Sequence, residues 1–462
     1  MCLSNQRILQ KNTKFLKPIF STSSEPFAVN LRKAKRSELI QKTRQNTQSH
    51  QYHQEFFEYK DNIRLLTNPE NLNYSISELI QEINIYLSSN LPLQTKHSEA
   101  LKILRSLSNI IKTTSDIELI EKSICVFSQL IIKHINWVKT FMHIEIISFL
   151  IPLLKKSSIL ILENILLVLG SLCSDSDDIK MMILNSEFLI NVQFSIANTH
   201  ILPTKSSHTL TWALGNLCKY SHLTIEQTDF ILNLTTNHII TSGDDTFNDV
   251  IRILYIISYK SEHHARCIIN HGLFIWLFGL LKYHFEEINL ITLRTLGNIL
   301  SWLSQNPQIL ISISDLNTIQ MQITSSSVLI RKEAYFVLKN IVKGKHFCIK
   351  NLIKHSVMRL VFIGMFDLDY NIRKEATNII SEIIENACEK ELILILKKGL
   401  LECLEKGLRD KDDEFREKYY LAFSHVFRVV MNSDNDEMKQ FRDSRVLDKI
   451  AYEIQYRENF DY

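Results

Sequence analysis

The chain has 462 residues, with 53 Lys and Arg against 50 Asp and Glu; this length suits about two to four ordinary domains or one elongated array. Only 10 Gly and 7 Pro are present, about a third of average usage, which excludes turn-rich β-sandwiches, phosphate-loop enzyme folds and a disordered scaffold. The net charge of +3 conceals a balance of +8 over residues 1–50 and −5 over the rest, so a basic arm precedes an acidic body. Such an arm expects an acidic partner, or folds back onto its own body.

In chain order, Asn5, Gln6 and Arg7 have no long apolar segment behind them, so no secretory signal is expected. Phe27–Arg44 is expected to form one charged helix, between the polar connectors Ser21–Pro26 and Gln45–Gln51. A linker at 51–75 leads to a body over 76–462, which closes on a helix-like segment, Leu447–Tyr462. With 45% hydrophobic residues the body has ample core, yet its richest stretch, Ile144–Leu154, is interrupted by Glu145 and Pro152. No apolar run reaches the roughly 20 residues of a membrane span, and no membrane partner is expected. The 8 cysteines are scattered without a C-x-x-C pair, as reduced, small, mostly buried hydrophobes of an intracellular protein would be.

One pattern recurs along the body: Leu169-Gly170-Ser171-Leu172, Leu214-Gly215-Asn216-Leu217, Leu296-Gly297-Asn298-Ile299 and Leu338-Lys339-Asn340-Ile341. The spacing is about 42 residues, with one unit between Asn216 and Asn298 that has lost the pattern, where Ile253-Leu254-Tyr255-Ile256 stands in its place. The same phase continues to Glu382 and back to Gln129. Helical solenoids of this period are the armadillo and HEAT classes. A three-helix plan fits: Cys267–Gly272 ends a first helix, Leu273–Tyr283 forms a second and Asn289–Leu303 a third, with Gly272 at the sharp turn. Glycine inside a helix costs about 1 kcal/mol, so its recurrence at 170, 215 and 297 predicts close packing between neighbouring third helices. The expected fold class is all-α, a right-handed superhelical solenoid of about 9–10 three-helix armadillo units behind a basic helical arm.

Trp212 and Asn216 are four apart and share a helix face. On the concave side of an armadillo array, such an Asn donates to and accepts from an extended peptide backbone. Indoles form slots for Lys or Arg stems, with about 0.5–2 kcal/mol of cation–π attraction each.

With these residues the chain resembles the importin alpha family, armadillo adaptors of nuclear import. Thr211–Cys218 is similar to that family's Trp-x-x-x-Asn third helix of the fourth repeat, Leu293–Ile299 to its sixth, and Arg331-Lys332-Glu333-Ala334 through Asn340-Ile341 to its seventh. Leu31-Arg32-Lys33-Ala34-Lys35-Arg36-Ser37-Glu38 resembles the importin-beta-binding arm, and Leu447-Asp448-Lys449-Ile450 the last repeat. The resemblance implies a major peptide site at Trp212, Asn216, Asp175 and Ser171, with Asp175 pairing the key lysine of a localisation signal. It implies a minor site at Arg294, Asn298, Phe336, Asn340, Glu333 and Glu375. It also implies contact of Leu31, Arg32, Lys33, Lys35, Arg36, Lys42 and Arg44 with importin beta, Lys42-Thr43-Arg44 standing where a basic triplet inhibits the groove.

The match is eroded in places. Leu167 and Ser171 replace Trp and Asn in the third repeat, neither is present around Ile124–Gln129, and Ile251 replaces the fifth Trp, while Tyr255 matches the family's tyrosine. Asn378 and Glu382 replace the eighth pair. A divergent interaction scaffold that has lost most signal reading is the alternative. For the arm, a solvated charged helix or a nucleic-acid arm is the alternative, although no nucleic-acid partner is expected.

The partners implied are importin beta, cargo proteins with basic signals, a nuclear export receptor for recycling and nucleoporins, in a protein shuttling between cytoplasm and nucleus. Glu262-His263-His264-x-x-Cys267 sits at the start of a first helix with no second ligand cluster, so no metal is expected. Without a Walker loop, G-x-S-x-G or H-E-x-x-H motif, neither catalysis nor a cofactor is expected.

Overall fold

The computed structural model describes residues 76–88, 97–141, 143–156, 158–174, 176–197, 202–219, 222–239, 247–282, 285–303, 311–344, 349–442, 447–448 and 452. The expected arm, with Leu31, Arg32, Lys33, Lys35, Arg36, Lys42 and Arg44, lies outside the described residues, as do the linker 51–75, Asp175 and most of the closing segment. Among the described residues there are helices and turns and no strand.

α1 (Ile76–Ser88), α2 (His97–Thr113) and α3 (Ile117–Lys133) come first. Two three-helix units follow: α4 (Ile135–Phe141), α5 (His143–Leu153) and α6 (Ile159–Leu172), then α7 (Asp177–Leu184), α8 (Phe188–Ala197) and α9 (Thr204–Cys218). Next come α10 (Ile225–Ile239) and α11 (Phe247–Ser258). A further three-helix unit holds α12 (Glu262–Asn270), α13 (Leu273–Leu280) and α14 (Glu286–Trp302), followed by α15 (Ile313–Ile323) and α16 (Val328–Lys343). The last two three-helix units are α17 (Ile349–Lys354), α18 (Val357–Gly364) and α19 (Tyr370–Asn386), then α20 (Glu389–Leu396), α21 (Leu400–Gly407) and α22 (Asp413–Asn432), before α23 (Asp436–Arg442).

The predicted phase holds: Gln129, Ser171, Asn216, Asn298, Asn340 and Glu382 all fall in the closing helices of their units, α3, α6, α9, α14, α16 and α19. The chain divides into two compact bodies, the described residues up to Asp249 and those from Val250 on. In the first, α1 packs on α3, α3 on α6 and α6 on α9. In the second, α14 packs on α16, α16 on α19 and α19 on α22. The three-helix plan is not universal. Where other units place two short helices, α10 is one continuous helix of 15 residues. By contrast, Gly272 turns the chain between α12 and α13 at φ +71°, its N–H donating to Ile269 O, and Gly399 does so between α20 and α21 at φ +98°. A side chain in that left-handed region costs about 1–2 kcal/mol.

Each closing helix forms because its apolar residues recur at helical spacing. α14 buries Leu293, Leu296, Ile299 and Leu300, and α16 buries Ala334, Val337, Leu338 and Ile341. Burying a Leu or Ile contributes about 1.5–3 kcal/mol. Starts are marked by caps: Ser158 accepts from the Ile161 N–H, Asp369 from those of Asn371 and Ile372, and Asp412 from that of Glu414. Such a cap contributes about 1 kcal/mol. The loops before α16, α19 and α22 are held by arginines one repeat apart, Arg331 on the Ser325 and Ser326 carbonyls, Arg373 on those of Asp367 and Leu368, and Arg416 on that of Asp410. Entry to the helices that carry the candidate site is thereby set.

Of the described cysteines, Cys173, Cys218 and Cys267 are buried, Cys125 and Cys403 half-buried and Cys388 exposed. Burial pushes the Cys173 thiol up to about 12 and, helped by Glu402, that of Cys403 up to about 11. The thiolate is the reactive form. Iodoacetamide at pH 8 should therefore alkylate Cys388 in the folded chain and Cys173 only after unfolding, as read by peptide mass mapping. Equal labelling of the two would refute this burial.

Candidate functional site

The closing helices carry a repeated rung. On α9, Trp212 and Asn216 lie one turn apart and both stay half-buried. The indole lies against bare backbone: a Cβ on Gly170 of α6 would stand 2.6 Å from Trp212 Cζ3 and 3.0 Å from Ala213 Cβ. Asn216 Nδ2 donates to the same residue, Gly170 O, at 3.1 Å. The second body repeats this arrangement. A Cβ on Gly297 of α14 would stand 2.6 Å from the Phe336 ring, and Asn340 Nδ2 donates to Gly297 O at 3.1 Å. The glycines at 170 and 297 thus admit an aromatic ring from the next repeat, which explains their cost inside a helix.

The amides assigned to a peptide are part of this internal ladder. Asn216 and Asn340 each donate to the preceding helix, and Asn298 Nδ2 donates to Ser258 Oγ at 3.0 Å. Each retains its second amide proton and its oxygen. Asn340 is buried, with 4% of its surface exposed, whereas Asn298 is half-buried. Ser171 is half-buried one residue beyond Gly170, and Lys139 Nζ donates to Ser174 Oγ at 2.8 Å nearby. Ile251 is buried and Tyr255 half-buried; burial, against the pull of Arg294, holds the Tyr255 phenol well above its usual range.

Charged residues of the second body meet each other. Arg294 Nε donates to Glu333 Oε1 at 3.0 Å, with 17% and 15% of the two side chains exposed. Lys339 Nζ approaches Glu375 Oε2 at 2.6 Å and stands 4.7 Å from the centre of the Phe336 ring. Further on, the Tyr370 hydroxyl donates to Glu414, which Lys418 and Lys374 also meet at 3.0 and 3.1 Å. These three, the tyrosine foremost, hold the Glu414 carboxyl down to about 2. The predicted minor-site residues are therefore brought together, but Glu333 and Glu375 each already face a cation of this chain.

Removing Arg294 leaves Glu333 mostly buried and unpaired. Arg294→Ala should lower unfolding stability by about 1–3 kcal/mol, and adding Glu333→Gln should recover part of that loss. Urea denaturation of the four-member cycle measures it, and additive effects would show that the pair is not coupled.

Sequence reasoning missed Lys339, Tyr370, Glu414 and Ser258. Lys339 had a signal: it occupies the place in the recurring pattern that Gly170, Gly215 and Gly297 hold. In the Glu262-His263-His264 segment, Ser261 caps α12, its Oγ lying 2.6 Å from His264 Nδ1, and Glu262 pairs with Arg266. Among the described residues no group of three or more His, Cys, Asp or Glu is placed to hold a metal ion, and no helix is long and apolar enough to cross a membrane.

No protein-family model and no curated protein matches the sequence. Among solved structures, an engineered protein from a structural-genomics programme is similar over 83% of this chain and 96% of its own, at 16% identity and a TM-score of 0.53. A designed armadillo repeat protein in complex with the peptide (KR)4 is 18% identical over 54% of this chain and 98% of its own, with a TM-score of 0.40. Computationally designed armadillo repeat proteins for modular peptide recognition give 15% identity over 54% of this chain and 99% of theirs, with a TM-score of 0.38. The fold class is all-α armadillo. The three-helix units, their shared phase and the stacking of closing helices within each body are its marks.

Proposed function

We propose that this chain is an armadillo scaffold that binds an extended peptide along its closing helices, acting as a nuclear import adaptor. The observation that carries the reading is the repeated rung: an aromatic ring seated on a glycine, with an Asn one turn on, at Trp212 and Asn216 and again at Phe336 and Asn340. Each rung suits a peptide in extended form, whose backbone meets the amide and whose basic side chain lies against the ring. The basic balance of residues 1–50 supports the second half of the reading, an arm for importin beta with its acidic inner surface. Cargo would carry a basic localisation signal, recycling would use an export receptor after Ran-dependent dissociation, and the protein would shuttle between cytoplasm and nucleus.

A specific observation favours a second reading, a scaffold that no longer reads basic signals. Glu333 and Glu375 already face Arg294 and Lys339, so neither carboxylate meets an incoming cation without displacing one. Titration of basic peptides against the chain with and without residues 1–50 separates the two. Preference for basic over scrambled peptides, strengthened on removing the arm, supports the adaptor. Equal binding of both supports the scaffold.

A further inference from the structure

Lys339 reproduces from within the chain the contacts that an incoming lysine would make. Its ammonium stands 4.7 Å from the centre of the Phe336 ring, one turn back on α16, and 2.6 Å from Glu375 Oε2 on α19. Only 18% of each side chain in the pair is exposed. The Glu375 Oε2 atom that it meets is itself buried. Ring, carboxylate and cation therefore form a complete aromatic cation slot before any ligand arrives.

The residue at this position is tied to its neighbours. At Gly170 and Gly297 the next closing helix presents a ring, Trp212 or Phe336, that leaves no room for a Cβ. Opposite Lys339 the frame instead presents Asn378, so no ring must be seated and a long side chain fits. Lys339 and Asn378 together line a groove of about 430 Å³, whose walls also carry Lys343, Glu382, Glu385 and Lys418.

We propose that Lys339 is a specificity-determining residue, filling the Phe336 and Glu375 slot so that the peptide residue received there is uncharged rather than basic. A lysine or arginine entering the slot meets an ammonium already in place, with its counter-charge engaged. An uncharged side chain meets no such repulsion and uses the groove beside it. This inference rests on the peptide-binding reading given above.

The test uses the full chain and fluorescence anisotropy with two labelled octapeptides, (KR)4 and the same length of Gln and Ala. Lys339→Ser leaves ring and carboxylate open, and Lys339→Gln keeps an aliphatic stem over Phe336 while removing the charge, guarding against loss of fold. Both variants should bind (KR)4 at least about fivefold more tightly than the parent, with the Gln-Ala peptide changed by less than about twofold. If neither variant gains while the parent still binds (KR)4 and loses it on Trp212→Ala, the assignment of Lys339 is overturned and the peptide-binding reading stands. If neither peptide binds any of the proteins, the reading fails and the inference with it.

Discussion

Gly407→Ala should destabilise the second body by about 2–3 kcal/mol, the upper part of the range for overpacking a core. Gly407 ends α21, and a Cβ there would stand 2.6 Å from three atoms of the Tyr419 ring. That ring has no retreat. Tyr419 is fully buried, its hydroxyl 3.2 Å from Thr377 Oγ1 and donating to Met365 O at 3.1 Å, and its face stacks on Phe366. Gly279→Ala is the matched control. It lies within α13, and a Cβ there would meet nothing within 4 Å, so the change should stabilise by about 0.5–1 kcal/mol through helix propensity and a less flexible unfolded chain. Thermal or urea unfolding should move in opposite directions for the two. Equal shifts would mean that the Gly407 and Tyr419 contact does not constrain the fold.

Trp212→Ala should weaken binding of basic extended peptides about tenfold or more, close to 1.4 kcal/mol, whereas Arg294→Ala should weaken it less. Trp212 is half-buried, offers its ring beside Asn216 and has no cation of this chain stacked on it among the described residues. Arg294 is already engaged with Glu333, so its loss acts first on stability. Trp212→Phe should retain part of the affinity, because a smaller ring still sits on Gly170. Isothermal titration with (KR)4, checked against unfolding curves for each variant, decides the order. Equal or reversed losses would place the dominant peptide contacts in the second body.

Much of the fold was legible because helical solenoids repeat locally. The scarcity of Gly and Pro announced helices, and the 42-residue phase placed Asn216, Asn298 and Asn340 on closing helices. Gly272 announced its turn because the chain between α12 and α13 enters the left-handed region, which glycine adopts without steric cost. The glycines at 170 and 297 announced close packing, though not which ring arrives. The fusion of two short helices into α10 was less legible, since α7 and α8, or α17 and α18, part without a glycine between them and its absence marks nothing.

The candidate site was legible as a set of positions and less so as a set of partners. Trp212 and Asn216, or Phe336 and Asn340, are one turn apart on a helix whatever surrounds them, so their common face follows from sequence spacing. Arg294 and Glu333, or Lys339 and Glu375, are about one repeat apart, and their meeting depends on how adjacent helices stack. The sequence by itself determined the helical class, the repeat phase and which residues share a face, because these depend on periodicities within a few turns. Only the tertiary structure decided which charges neutralise one another and which slots are already filled. A charge pair between helices forms only when packing brings the two side chains within a few ångströms, a distance that composition and spacing do not encode.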